Sequence, residues 1–186
     1  LPPCWKGSKV GMGKVNLLDC TLRDGGYIND WKFGKDAIFD MTEKLGKTGV
    51  DILEIGFLKN EPYFDNRTVF NSMEQVKNVI GDKKTGTEYA VMCEVVNPIP
   101  LEMLSDRDDE SADIIRVIVW KTKHVGGKEV DALEEGYKYC RGIVQKGYKL
   151  CVQPARVDQY SDQEFVEMIK KFSALNPMAI YVVDSW

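Results

Sequence analysis

The densest chemical signal is Leu18-Asp19-Cys20-Thr21-Leu22-Arg23-Asp24-Gly25-Gly26-Tyr27, which follows a short apolar run. In parallel α/β folds, active sites gather at the carboxyl ends of the strands. That position here holds an adjacent Arg23 and Asp24, then two glycines that allow a tight turn. A carboxylate such as Asp24 suits a hard divalent cation. A guanidinium such as Arg23 suits a substrate carboxylate or an enolate oxygen. The competing reading is a structural Arg23–Asp24 ion pair that closes a loop, and the residues alone weigh the two evenly.

Other chemistry-bearing residues are sparser. Arg116 lies inside an apolar run, on the same face as Ile114 and Ile118, and a charge there needs a partner such as Glu54. His124 is the single histidine of the chain and follows the same run, with Lys121 and Lys123 nearby. It could contact an anion there, although loop histidines are more often simply exposed. Asn97-Pro98 and Gln153-Pro154 end two further runs, and their amides could line a site mouth. Tyr63 and Phe64 could shape a pocket, whereas Phe70 reads as helix packing. Gly7 and Gly13-Lys14 are one residue too far apart for a phosphate loop, and Val15 replaces the required hydroxyl.

These residues are positioned by a regular alternation. Apolar runs recur at Asn16–Cys20, Asp51–Phe57, Glu88–Cys93, Asp113–Trp120, Tyr148–Val152 and Ala179–Val183. They read as strands buried on both faces of a parallel sheet. Helical patterns lie between them. The first carries Ala37, Ile38, Met41 and Leu45. The second carries Phe70, Met73, Val76 and Ile80. A weak third follows Pro98 and Pro100. The fourth carries Val130, Leu133, Tyr137, Cys140 and Val144. The fifth opens on Ser161 with Glu164 three residues on, a capping box, and buries Phe165, Met168, Ile169 and Phe172. Six βα-type strands make roughly three quarters of an eight-stranded barrel, which typically takes about 250 residues. The expected fold is therefore α/β, a (βα)8 TIM barrel truncated after the sixth strand. Residues 1–14 form an irregular leader and residues 15–186 the partial barrel. Open strand edges at both sides of such a sheet predict a homo-oligomer.

Composition narrows the function classes. The 186 residues carry 25 Lys and Arg against 29 Asp and Glu, a net charge of −4. With a pI near 5.2, a general nucleic-acid binder is not expected. No apolar stretch approaches the roughly 20 residues of a membrane helix, and no signal peptide is visible. The five cysteines are scattered without a CxxC pair, which reads as reduced thiols in a cytoplasmic protein.

Asp19-Cys20-Thr21-Leu22-Arg23-Asp24-Gly25 resembles the D-x-T-L-R-D-G signature of the metal-dependent aldolase and lyase TIM barrels. That family includes hydroxymethylglutaryl-CoA lyase, isopropylmalate and homocitrate synthases, and hydroxy-oxovalerate aldolase. Asp51–Phe57, Ile115-Arg116-Val117 and Val182-Val183-Asp184-Ser185 are similar to its second, fourth and sixth strands. The resemblance spans about residues 15–185. It is strongest toward bacterial proteins of unknown substrate that carry an aldolase catalytic domain. It implies carbon–carbon cleavage or formation on a 2-oxo acid or acyl-CoA-like substrate, a small carboxylate, with Mg2+ or Mn2+. It implies Asp24 as a metal ligand, Arg23 as the enolate stabiliser, Glu54 as the acidic residue beside it, and Tyr27 in the acid–base position. Arg116, His124 and Ser185 would contact substrate. The family's His-x-His metal pair on the seventh strand has no counterpart in this sequence, so the metal site is expected to be incomplete. The fragment would then be inactive by itself, or a non-catalytic pocket for a small anion.

Overall fold

The computed structural model describes residues 15–182. The leader at 1–14 and Ser185 lie outside the described residues. The chain begins with β1 (Leu18–Asp19), a one-turn helix α1 (Thr21–Asp24) and a 3-10 turn at Gly25–Ile28. Then come α2 (Lys35–Gly46), β2 (Ile52–Leu58), β3 (Val69–Phe70), α3 (Met73–Ile80) and β4 (Glu88–Glu94). β5 (Ile114–Val119) leads to a hairpin of β6 (Thr122–Val125) and β7 (Lys128–Asp131). α4 (Leu133–Gln145), β8 (Lys149–Pro154), a second 3-10 turn at Val157–Gln159, α5 (Asp162–Ser173) and β9 (Ala179–Ile180) complete it.

The main sheet runs β1-β2-β4-β5-β8-β9, with β3 attached to β2 and every pairing parallel. The spatial order follows the chain order without reversal. A doubly wound sheet reverses at its switch point. The unreversed order is that of a barrel wall, and the strands make an open half-barrel.

Alternation along the strands separates two faces. Leu53, Ile55, Tyr89, Val91, Cys93, Ile115, Val117, Leu150 and Val152 join the large core beneath the helices. The other face carries Ile52, Ala90, Ile114 and Cys151 as a second apolar layer, with Leu18, Ala179 and Tyr181 packed on it. Glu54 and Arg116 share this inner face by the same alternation. β2 shifts register between Glu54 and Phe57, so Phe57 also reaches the inner side, beside Val69 and Met92.

The capping box at Ser161 and Glu164 forms as expected. Three expected elements differ. Phe70 belongs to β3, which pairs along the end of β2 rather than entering the helix; α3 is capped by Ser72, whose side chain accepts from the Gln75 N–H. Val130 belongs to the hairpin, not to α4, since Gly126 and Gly127 at φ 58° and 77° supply a two-residue turn. Residues 101–104 only turn, so no third helix forms after Pro100. No helix among the described residues is long and apolar enough to cross a membrane.

Asp113 anchors the opposite, amino-terminal end of the sheet. Its carboxylate accepts from Lys83 and Arg107, each at 2.8 Å, and from the Tyr89 N–H at 3.0 Å. Burial alone would raise its pKa, but these donors outweigh burial and hold it below the usual carboxylate range. Its folded pKa thus lies below its unfolded value near ~3.9. The stability it contributes is present above about pH 5 and lost as pH falls through the folded pKa. We expect the thermal midpoint of Asp113→Asn to lie below wild type at pH 6 and the gap to narrow as the pH falls below the usual carboxylate range. A constant gap as the pH falls would contradict this linkage.

Candidate active site

At the carboxyl ends of the strands, Arg23, Asp24, Tyr27, Glu94, Arg116, Ile118, Trp120, Gln153 and Ala155 enclose a cavity of about 540 Å³. Its floor is one charged network. Glu54 on β2 is fully buried and takes a guanidinium on each oxygen: Arg23 Nε at 2.7 Å and Arg116 Nη1 at 2.6 Å. Arg116 Nη2 donates to Gln153 Oε1 at 3.3 Å, its Nε has no partner, and its guanidinium lies 4.9 Å from the Tyr181 ring centre. Arg23 also donates from Nη1 to Asp24 Oδ1 at 2.7 Å.

Local structure explains how Arg23 gets there. β1 covers only the first half of β2, pairing at Ile52 and Leu53. β3 covers the end of β2 at Phe57 and Leu58. Between them the chain leaves the sheet and coils into α1, and Thr68 Oγ1 donates to the Leu22 carbonyl at 2.6 Å. The Trp31 indole N–H donates to the Arg23 carbonyl at 2.7 Å, fixing the turn from the other side. Trp31 packs edge-on against Phe57 and Tyr27.

The expected residues divide clearly. Arg23, Asp24, Tyr27 and Arg116 all line one cavity and Glu54 lies under it. The structure makes the Glu54–Arg116 pair that a charge inside an apolar strand demands. Tyr27 is largely exposed, and its pKa is raised by burial of the phenol, partly offset by Arg23, so the hydroxyl stays protonated at neutral pH. The Cys20 thiol is likewise pushed up by burial and is not poised as a thiolate nucleophile.

His124 sits elsewhere. It is exposed on β6 and lines a separate, shallower cavity of about 290 Å³ with Glu94, Val96, Trp120, Thr122 and Lys123. Lys121 turns away to the Gln159 carbonyl and Glu164, and Lys123 pairs with Glu135. The hairpin thus places His124 with Lys123, but not Lys121, in a neighbouring cavity that shares Glu94 and Trp120 with the first.

Two residues of the cavity have no antecedent in the sequence reading. Glu94 ends β4 and accepts from the Trp120 indole N–H at 3.2 Å, with Lys59 Nζ 3.7 Å from its other oxygen. Lys59 in turn lies 4.4 Å from the Phe57 ring centre. Their signal was positional: each of Glu94 and Trp120 is at the carboxyl end of an apolar run.

The expected Mg2+ or Mn2+ site is not composed by these side chains. Asp24 spends Oδ1 on Arg23, its side chain is 61 % exposed, and no group of three metal-type ligands occurs among the described residues.

No protein-family model matches the chain, and no curated protein matches it. Among solved structures it is similar to 2,3-dimethylmalate lyase, a member of the PEP mutase/isocitrate lyase superfamily, at a TM-score of 0.50 and 9 % identity. The match covers 77 % of this chain and 53 % of that one, so the chain spans about half the length of that lyase. At this identity the likeness is one of fold: a parallel α/β half-barrel of the kind built into that enzyme.

Proposed function

We propose that this chain carries the carboxylate-binding part of a lyase- or aldolase-type site that makes or breaks a carbon–carbon bond in a small 2-oxo acid or acyl-thioester-like substrate. One observation carries the reading: a fully buried Glu54 presents two guanidiniums, Arg23 and Arg116, at the carboxyl ends of parallel strands. Fixed donors aimed at a developing oxyanion stabilise it without reorganising. As the bond beside the carbonyl breaks, the hydroxyl on the departing carbon gives its proton to water and becomes a carbonyl, the bonding pair forms the enolate double bond, and the carbonyl π pair moves onto the oxygen that Arg23 stabilises. Tyr27, protonated at neutral pH and in the same cavity lining, then gives a proton to the enolate carbon. The D-x-T-L-R-D-G resemblance and the fold of a lyase support the same class.

A second reading, a non-catalytic small-anion pocket, is favoured by the absence of a three-ligand metal cluster among the described residues. Oxalate, a planar stand-in for an enolate, separates them. Calorimetry on the full chain is expected to show oxalate binding that falls about 10- to 100-fold in Arg23→Ala, the loss of one charge-assisted contact. Equal affinity in both proteins overturns the site. Oxalate binding with no carbon–carbon cleavage or condensation of any 2-oxo acid supports the pocket reading instead.

A further inference from the structure

The cavity is unequally furnished. Among the described residues, its aliphatic side chains are Ile118 and Ala155, and the remaining lining is charged, amide or aromatic. Asp24 uses Oδ1 for Arg23, and Glu94 uses Oε1 for the Trp120 indole with Lys59 Nζ 3.7 Å from Oε2, which leaves Asp24 Oδ2 and the remaining lone pairs of Glu94 to accept. Both carboxylates face a space whose cations already share Glu54. A second anionic group on the ligand, whether carboxylate or phosphate, would meet Asp24 and Glu94 as like charges. An alkyl chain would strip water from those oxygens and give nothing back. A chain of hydroxyl groups does neither: it donates to carboxylates and keeps a C–H face for an indole.

We infer that the ligand of this cavity is a polyhydroxylated acid of the sugar-acid type, with its carboxylate on Arg23, its hydroxyls donated to Asp24 and Glu94, and its C–H face on Trp120. This rests on the carboxylate-binding reading above and names its substrate class. Binding hydroxyls on partly exposed carboxylates is a selectivity device, because the analogue lacking them leaves the acceptors desolvated and unmatched.

The test is calorimetry on the full chain with two six-carbon monoacids, D-gluconate and hexanoate. Gluconate is expected to bind at least about tenfold more tightly. The advantage is expected to shrink toward unity in Asp24→Ala and in Glu94→Met. Because each variant is judged by the ratio of two ligands, a general loss of affinity does not imitate the result, and Asp24 is exposed enough to replace without touching the core. Equal binding of the two acids, or tighter hexanoate, overturns the hydroxyl assignment while leaving carboxylate binding intact. An advantage that survives in both variants overturns the roles of Asp24 and Glu94. No binding of either acid overturns the carboxylate reading and this one with it.

Discussion

Glu54→Leu is expected to lower the stability of the chain by about 3–5 kcal/mol, the cost of leaving buried charges without their counter-ion. Among the described residues, Arg116 would keep Gln153 and the Tyr181 ring, and Arg23 the exposed Asp24. Their side chains are 8 % and 12 % exposed, so neither guanidinium reaches bulk water without displacing its surroundings. At a typical slope of about 2 kcal/mol per molar urea, the unfolding midpoint falls by about 2 M. Adding Arg116→Met to Glu54→Leu is expected to recover part of the loss, since replacing a buried pair by apolar groups is far milder than halving it. Oxalate binding is expected to vanish with the single change, because Arg23 loses the contact that aims it. A midpoint within about 0.5 M of wild type would mean that Glu54 is not the keystone of the network.

The second large effect lies two residues along the same strand. Gly56 has φ 149°, a conformation L residues rarely adopt, and a Cβ there would sit 2.1 Å from the Thr68 carbonyl oxygen. Thr68 cannot retreat. Its carbonyl accepts from the Phe57 N–H at 2.9 Å, its N–H donates to the Trp31 carbonyl at 3.1 Å, and its hydroxyl holds Leu22. Backbone strain and overpacking each cost about 1–3 kcal/mol, so Gly56→Ala is expected to destabilise by about 3 kcal/mol or more. Urea unfolding measures it, and a loss under about 1 kcal/mol would show that β2 and β3 can part locally. The change also perturbs α1, because Thr68 touches both, so oxalate affinity is expected to fall alongside stability.

The sheet strands were legible because burial on both faces leaves a nearly unbroken apolar run. β2, β4, β5 and β8 all fall within the runs expected or extend them by a residue or two. What was missed is local. β3 spans two residues and has no period of its own. The Gly126-Gly127 turn was a readable hairpin signal, but the apolar Val130 was absorbed into the helical stripe that follows. The site was half legible. Arg23, Asp24 and Tyr27 stand together in sequence, and Arg116 declares itself as a charge in an apolar strand. Glu94 and Trp120 do not, because their role depends on which strands become neighbours. His124 shows the converse: a rare residue type drew attention, and a hairpin that no periodicity announced took it out of the cavity.

The parallel order of the sheet also fixes when the proposed anion pocket can exist. Arg23 and Glu54 are 31 residues apart, Arg116 and Glu54 are 62 apart, and Arg116 and Gln153 are 37 apart. β4 lies between the strands that carry Glu54 and Arg116. No single crossover brings the two arginines together; three neighbouring strands must dock in sequence, and each closure is of the non-local kind that slows folding. A nascent chain therefore lacks the two-arginine cluster, and on the proposed reading the appearance of anion affinity would mark the moment when the wall from β1 to β8 is complete.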